Sequence, residues 1–277
     1  MKLLRNLLKS PMFVIGATIF FGTMLFALVA PLFYNLNLAT DHARYAPPGE
    51  GLLLGADNLG RDYVSLLIKG LRSSLYVGFL AGIIATTVGT LVGIYGGFKG
   101  GLVDDILNML TNLFIVIPSI IVLILISATF PEGRSLTLIG LIIGCTTWTW
   151  SARAVRAQAA SLKSRDHIAL ARINGDGTLA IIMKHILPYL LSYVFMVFIL
   201  QIASGILSES AISMIGLGPA DTQSLGVILN DAKANGALNG GYWYAFFPST
   251  ILITLIVFAL YLINTSMEGV FNPRLRK

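Results

Sequence analysis

The sequence predicts an all-α, polytopic membrane protein with six transmembrane helices. Three observations lead there. Of 277 residues, 56% are hydrophobic and only 12% charged, with a mean hydropathy of +0.80. A soluble globular chain carries about 25% charged residues and needs polar surface to meet water. The apolar residues also gather into runs of about 20, the length that crosses roughly 30 Å of hydrocarbon as a helix. Finally, the basic residues sort by loop, as orientation in a bilayer requires.

The elements follow in order. Met12 to Tyr34 is the first apolar run, preceded by Lys2, Arg5 and Lys9. It is too long for the apolar part of a signal peptide and lacks a small-x-small cleavage site, so it reads as a retained span. Residues 35–74 form a long external segment. Within it, Tyr63 to Leu75 places Leu66, Leu67, Leu71 and Leu75 near helical spacing and reads as a helix lying at the interface. The second span is Leu75 to Phe98. Its glycine pairs Gly78/Gly82 and Gly89/Gly93 each put small residues on one helix face, which lets another helix approach closely. Lining a channel is the alternative use of the same residues.

A turn over residues 99–105, with Lys99, Asp104 and Asp105, leads to the third span, Ile106 to Thr129, which Pro118 kinks. Pro131, Glu132, Gly133 and Arg134 turn the chain again. The fourth span is Leu136 to Ser151, with Trp148 and Trp150 at an interfacial end. Residues 153–186 form a polar cytoplasmic region. The fifth span, Leu187 to Leu207, precedes a second external segment, 208–244, rich in Gly, Asn and Asp. The sixth is Phe246 to Ile263. Residues 1–277 thus read as one transmembrane unit.

Charge sets the orientation. With the N-terminus in the cytoplasm, six spans leave 13 of the 19 Lys and Arg inside and eight of the 13 Asp and Glu outside. This obeys the positive-inside rule and puts both termini in the cytoplasm. The excess of six positive charges is therefore an orientation feature, and nucleic-acid binding is excluded because no single element gathers the basic residues. No ionisable residue lies clearly at mid-membrane, which argues against a proton relay or ion pump.

Cys145 is the only cysteine, so no internal disulfide and no cysteine metal cluster can form. His42, His167 and His185 lack ligand spacing and read as polar loop residues. There is no GxxxxGK[ST] phosphate loop and no nucleophile with a matching base, so no catalytic residue is assigned. A metal site is not expected either.

The region 153–186 is far longer than a bare connector needs. Arg153 to Lys163 favours helix, with four alanines and little branching, and reads as an extension of the fourth span. Ser164 can cap a second helix, with Asp166 and His167 in its first turn and Gly175 ending it. That helix is too short to be stable alone in water. Ala169 and Ala171 permit close approach to a partner's groove, and Leu170 and Ile173 supply apolar contact. An ordinary helix lying on lipid is the competing reading.

At this point the chain resembles the inner-membrane permeases of ATP-binding-cassette importers. Their cytoplasmic motif is Glu-Ala-Ala, three residues, Gly, about nine residues, then Ile-x-Leu-Pro. Here Ala169-Leu170-Ala171, Gly175 and Ile186-Leu187-Pro188 stand in the corresponding places. The motif's glutamate is replaced by Ala169, which implies docking more by packing than by charge. Leu54 to Asp62, Gly70 to Gly78, Glu209 to Gly218 and the ending Asn272-Pro273-Arg274-Leu275-Arg276 resemble the dipeptide and oligopeptide permease group, in particular its second, C-type subunit.

The resemblance implies the six-helix type I importer permease fold in a bacterial or archaeal cytoplasmic membrane. It also implies assembly with a second homologous permease, two cytoplasmic ATPases and an extracellular or periplasmic solute-binding protein. This chain would supply half of the translocation path, with ATP and magnesium held by the ATPases and no cofactor of its own. Asp166, Ala169, Leu170, Ala171, Ile173 and Gly175 are then the expected ATPase-coupling residues. Gly60, Arg61, Asp62 and Glu209 are the expected external gate or binding-protein contacts. The first three also read as a turn held by a local Arg–Asp interaction, and Glu209 as a cap on Ser210 to Ile215. Peptide is the expected cargo, with oligosaccharides or another small solute as alternatives. An ion-coupled secondary transporter would show buried ion-binding groups and repeats, which are not found. A membrane scaffold would not need such long polar external segments.

Overall fold

The computed structural model describes residues 7–34, 36, 38–49, 51–129 and 134–271. Lys2, Arg5, Pro131, Glu132, Gly133, the ending Asn272 to Arg276, and Lys277 lie outside the described residues. Among the described residues the architecture is helical, with two isolated β-bridges, Gly49–Leu52 and Ala56–Asp62, in the first external segment.

In chain order the helices are α1 (Pro11–Phe33), α2 (Tyr63–Lys99), α3 (Gly101–Val116), α4 (Ser119–Thr129), α5 (Leu136–Leu162) and α6 (Asp166–Ile173). Then come α7 (Thr178–Leu217), α8 (Leu225–Ala234) and α9 (Phe247–Phe271). Helix α7 runs through a π-helical turn at Ile182–Ile186 and ends in a second at Ser213–Leu217, which is kinked at Gly216 (φ +86°).

Among the described residues four helices are long and apolar enough to cross a membrane: Pro11–Phe33, Tyr63–Lys99, Thr178–Leu217 and Phe247–Val270. The pair α3–α4 makes a fifth if counted as one span, though it is bent by 70°. Six were expected. The helix at the expected fourth span, α5, has 27 residues, but its apolar part is diluted by Thr146, Thr147, Thr149 and Ser151 and then by Arg153 and Arg156. Much of that polar stretch faces protein: Thr149 and Ser151 are buried. Helices that hide polar groups against neighbours need not present an apolar surface all round.

Three other boundaries differ from expectation. Tyr63 to Leu75 does not lie on the interface; it is the first third of one 37-residue helix, about 55 Å long at 1.5 Å per residue. Leu66, Leu67, Leu71 and Leu75 are all buried in the core rather than facing lipid. Asp62 starts this helix, its carboxylate accepting from the Val64 and Ser65 amides. The turn before α3 is a break at Gly100 alone, so Asp104 and Asp105 are already helical. Pro118 does more than kink: it ends one helix and starts another, because it can neither donate to the preceding turn nor let Ile117 stay helical.

Helix α2 is the centre of the molecule. Its glycines face two different partners. Gly78 and Gly82 abut Ile202 and Ile206 of α7, while Gly89 and Gly93 abut Ser151, Ala152 and Val155 of α5. Helix packing, the first reading of both pairs, is what they do, but each pair serves its own neighbour.

Candidate functional site

Three places in this framework carry functional geometry. The first is inside the membrane region. The α3–α4 elbow stands away from α5, α7 and α9 and leaves a cleft of about 620 Å³. Thr146, Thr147 and Trp150 of α5, Gln201 and Ser204 of α7, and Tyr261 of α9 supply its polar and aromatic lining. The elbow adds Phe114, Ile117 and Pro118. Among the described residues no charged side chain lines it. Gln201 is buried, and its amide donates to the Thr147 carbonyl at 3.0 Å and to the Ser151 hydroxyl, which locks α7 to α5 at the cleft floor. Phe114 meets Trp148 edge-on at 5.7 Å and holds the elbow to α5. At the opposite, basic end, Arg156 of α5 and Asp104 of α3 form a bidentate pair that anchors the elbow's first limb. These lining residues are spread over four helices, so no local motif marks them.

The second place lies in the two segments expected to be external. Residues 35–74 and 208–244 were expected as two separate segments; they fold into one cap. Tyr45 stacks on Tyr242 at 4.4 Å, and the Tyr244 hydroxyl donates to the Tyr45 carbonyl at 2.6 Å. Arg61 pairs with Asp57 at 2.6 Å and reaches Asp231 of α8 at 3.5 Å. The local partner of Arg61 is thus Asp57, not Asp62, which is occupied in capping α2. The Asp57 carboxylate also accepts from the Leu59 and Arg61 amides. Burial pushes the Asp231 carboxyl up, and Arg61 beside it works against that rise. Gly60 has φ +77°, and a Cβ there would collide with the His42 carbonyl oxygen, so this glycine is required by the turn.

Asp57→Ala would leave the little-exposed Arg61 with only its longer contact to Asp231 and would orphan two amides. A loss of about 3 kcal/mol from the cap is expected. Hydrogen exchange should then rise across residues 41–62, while exchange in α5 stays unchanged.

Glu209 is fully buried, at 0% exposure. Its carboxyl accepts from the Ser74 hydroxyl at 2.9 Å and the Ser213 hydroxyl at 2.7 Å. The Ser74 hydroxyl in turn accepts from the Leu225 amide at 3.2 Å. Glu209 therefore ties α2, α7 and the start of α8 together. It caps nothing over Ser210 to Ile215, where the helix simply continues. Within this chain it presents no exposed surface.

The third place is the short helix α6, within residues 153–186. Arg165, with extended backbone angles, occupies the N-cap position, so Ser164 is not the cap. The C-terminus closes as a Schellman motif: the Gly175 amide donates to the Arg172 carbonyl and the Asp176 amide to the Ala171 carbonyl. Gly175 has φ +84°, as that motif requires. Ile168 and Ala171 are buried against α5 and α7, in one cluster with Val155, Ile182 and Ile186. Ala171 thus faces the chain's own core, contrary to its expected role at a partner's groove. Asp166, Ala169, Leu170, Ile173 and Gly175 are exposed, Leu170 at 60% and Ile173 at 80%. Leu179 and Met183 add exposed apolar surface nearby, at 72% and 55%. Sequence spacing could not single out these two, because they fall outside the helix that carries the motif.

A family model described as "Binding-protein-dependent transport system inner membrane component" matches residues 89–277. The oligopeptide transport system permease protein of Bacillus subtilis is 29% identical over 266 residues, covering 95% of this chain and 86% of its own length. The protein of the same description from Lactococcus lactis subsp. lactis is 31% identical over 230 residues, 83% of this chain and 78% of its own. The dipeptide transport system permease protein of Bacillus subtilis is 28% identical over 276 residues, 99% of this chain and 85% of its own.

Proposed function

Because the chain belongs to the family of binding-protein-dependent transport system inner membrane components, we propose that it is one of two permease subunits of an ATP-driven importer of dipeptides or oligopeptides. It is a transport subunit and not itself a catalyst. The single observation that carries the role is the uncharged cleft between the elbow, α5, α7 and α9, which is open to a partner and lined by hydroxyl, amide and aromatic groups. Such groups hydrogen-bond to backbone amides and tolerate varied side chains, as a path for peptides of mixed sequence must. The relatives' names, oligopeptide and dipeptide transport permeases, supply the cargo class.

The assembly follows from the family: a second permease, two ATPases that bind ATP and magnesium, and an external solute-binding protein. In that assembly α5 serves as the sixth crossing, beside the four clear spans and the bent pair. Its length of 27 residues suffices, and the second permease would cover polar positions that lipid could not. Both termini lie in the cytoplasm of a bacterial or archaeal cell, on the side of Lys99, Arg153, Arg156, Lys163, Arg165 and Arg172.

Energy enters at α6. Its exposed face, Asp166, Ala169, Leu170 and Ile173, docks in a groove on an ATPase, while Ile168 and Ala171 root it in the chain. A moving ATPase then drags a helix fixed to α5 and α7, two of the helices that wall the cleft. A discrete element held at both ends is what converts contact into coupling. On the outside, the turn of Gly60, Arg61 and Asp62 belongs to the cap that meets the binding protein. Glu209 holds that cap to the spans from beneath.

The test is ATP hydrolysis by the whole complex in proteoliposomes, with the binding protein outside. Saturable stimulation by short peptides, together with ATP-dependent uptake, is expected. Stimulation by oligosaccharides alone would keep the importer and overturn the peptide cargo.

A further inference from the structure

A second cleft, of about 640 Å³, opens on the external side and differs in character from the one in the membrane. Its floor is the outer end of α2, with Lys69, Arg72, Ser73 and Tyr76; Leu136 at the start of α5 and Leu38 add apolar wall. Asp221, Thr222 and Gln223, from the loop before α8, also line it. Arg61 also reaches it, but its charge is answered by Asp57 and Asp231. Among the described residues neither Lys69 nor Arg72 makes an ion pair, and Asp221 is the only acid in the lining.

Position and spacing make these two cations a site. They stand at i and i+3 on α2, so their stems rise from one helix face about 5–6 Å apart. That distance lets both donate to one carboxylate. Lys69 is half-buried and Arg72 exposed, so the cleft is lined by charge at two depths. After Arg72 the helix carries no charged residue until Lys99, which places the pair at the outer edge of the membrane segment. Asp221, Thr222 and Gln223 line the same cleft, so the pair faces protein groups as well as solvent. Tyr76, whose hydroxyl lies 3.1 Å from the Thr137 hydroxyl, joins α2 to α5 along the cleft wall.

We propose that this cleft receives the free C-terminal carboxylate of a peptide cargo before the peptide enters the uncharged cleft in the membrane, an inference that rests on the peptide reading above. The charged group is met at the mouth, where Lys69 and Arg72 bind it. The neutral path then handles amides and side chains. Charge recognition in a partly enclosed cleft is stronger than in open water, since the effective dielectric is lower. Ser73, Thr222 and Gln223 supply hydroxyl and amide partners for the last peptide bonds.

The experiment compares tri-alanine with tri-alanine amide on the assembled complex in nanodiscs, without binding protein, by saturation-transfer NMR titration. At least a tenfold preference for the free carboxylate is expected. The double variant K69Q/R72Q should abolish the preference, and K69R/R72K, which keeps both charges, should retain it. No preference in the natural complex, or one untouched by K69Q/R72Q, overturns the proposal. In a separate uptake assay with binding protein outside, a K69Q/R72Q complex that keeps the carboxylate preference and only needs more binding protein for half-maximal uptake also overturns it, and would assign the cations to an acidic face of that protein. A variant whose only change is lost retention of anionic phospholipid overturns it in favour of a headgroup site. Tri-alanine uptake by the natural complex in vesicles separates the two levels. No uptake sinks the peptide reading itself, whereas uptake without carboxylate preference sinks only this site.

Discussion

Gly93→Leu is expected to destabilise the protein by about 3 kcal/mol or more, a large effect for a single substitution. A Cβ at Gly93 would lie 2.6 Å from the Ala152 carbonyl oxygen and 2.9 Å from the Arg156 amide nitrogen. Both are backbone atoms of α5, so no rotamer change relieves the clash. The helices must separate, and the packing of α2 on α5 is lost along several turns. Overpacked cores lose 1–3 kcal/mol where side chains can still adjust, and here they cannot. In a bilayer that loss is not recovered elsewhere, because helix association rests on close packing rather than on exclusion of water.

Two controls keep the interpretation narrow. Gly93→Ala should show a smaller shift in the same direction. Gly22→Leu, in α1 with open space around its backbone, should be neutral. The measurement is thermal unfolding of the purified protein in detergent, followed by far-ultraviolet circular dichroism, with membrane content read by immunoblot. Unchanged melting of Gly93→Leu would refute the close approach of α2 and α5.

The second large effect is at α6. Replacing both Leu170 and Ile173 with aspartate is expected to lower transport at least tenfold while leaving membrane content unchanged. These side chains project into solvent and contribute little to the chain's own fold. If they fill a groove on the ATPase, each contributes about 1.5–3 kcal/mol of apolar burial. Losing both weakens docking by about a hundredfold or more. Co-purification of the ATPases should fail with the double variant.

Gly175→Val should act on the same step by another route. The Gly175 position has open space but a left-handed backbone, so the cost is conformational, about 1–2 kcal/mol for an L-residue, and the Schellman closure unravels. An eight-residue helix has little else to hold its last turn. Transport should fall while insertion persists, and Gly175→Asn should recover part of the loss because asparagine tolerates this conformation. Equal transport at equal protein content would remove α6 from the coupling path.

Sequence legibility varied by the range of the interaction involved. The motif around Gly175 was readable because its geometry is local: a glycine after an apolar helix with an alanine-rich face. Ser164 misled for the same reason. A residue type suited to capping was present, but the backbone turns one position later, at Arg165. Arg61 was read with its nearest acid, Asp62, whereas the folded turn gives it Asp57 and Asp231. Glu209 read as an exposed cap or contact, since nothing in a single chain reveals that Ser74, 135 positions away, fills its lone pairs.

By itself the sequence determined that this protein lives in a membrane, is helical, sorts its basic residues by loop, and carries a short helix between its fourth and fifth apolar runs. Composition, run length and charge sorting are properties of a chain read in order, and the bilayer enforces them directly. Only the tertiary structure decided which helix each glycine pair admits, that two distant external segments make one cap, and that an uncharged cleft and a cationic one lie on different levels. Those features depend on side chains far apart in sequence meeting at a few ångströms, and many packings share the same pattern of apolar residues. The helix at the expected fourth span shows the boundary between the two. Its polar residues weaken it as a lone crossing, and they become intelligible once α2 buries one side of it and a cleft opens on the other.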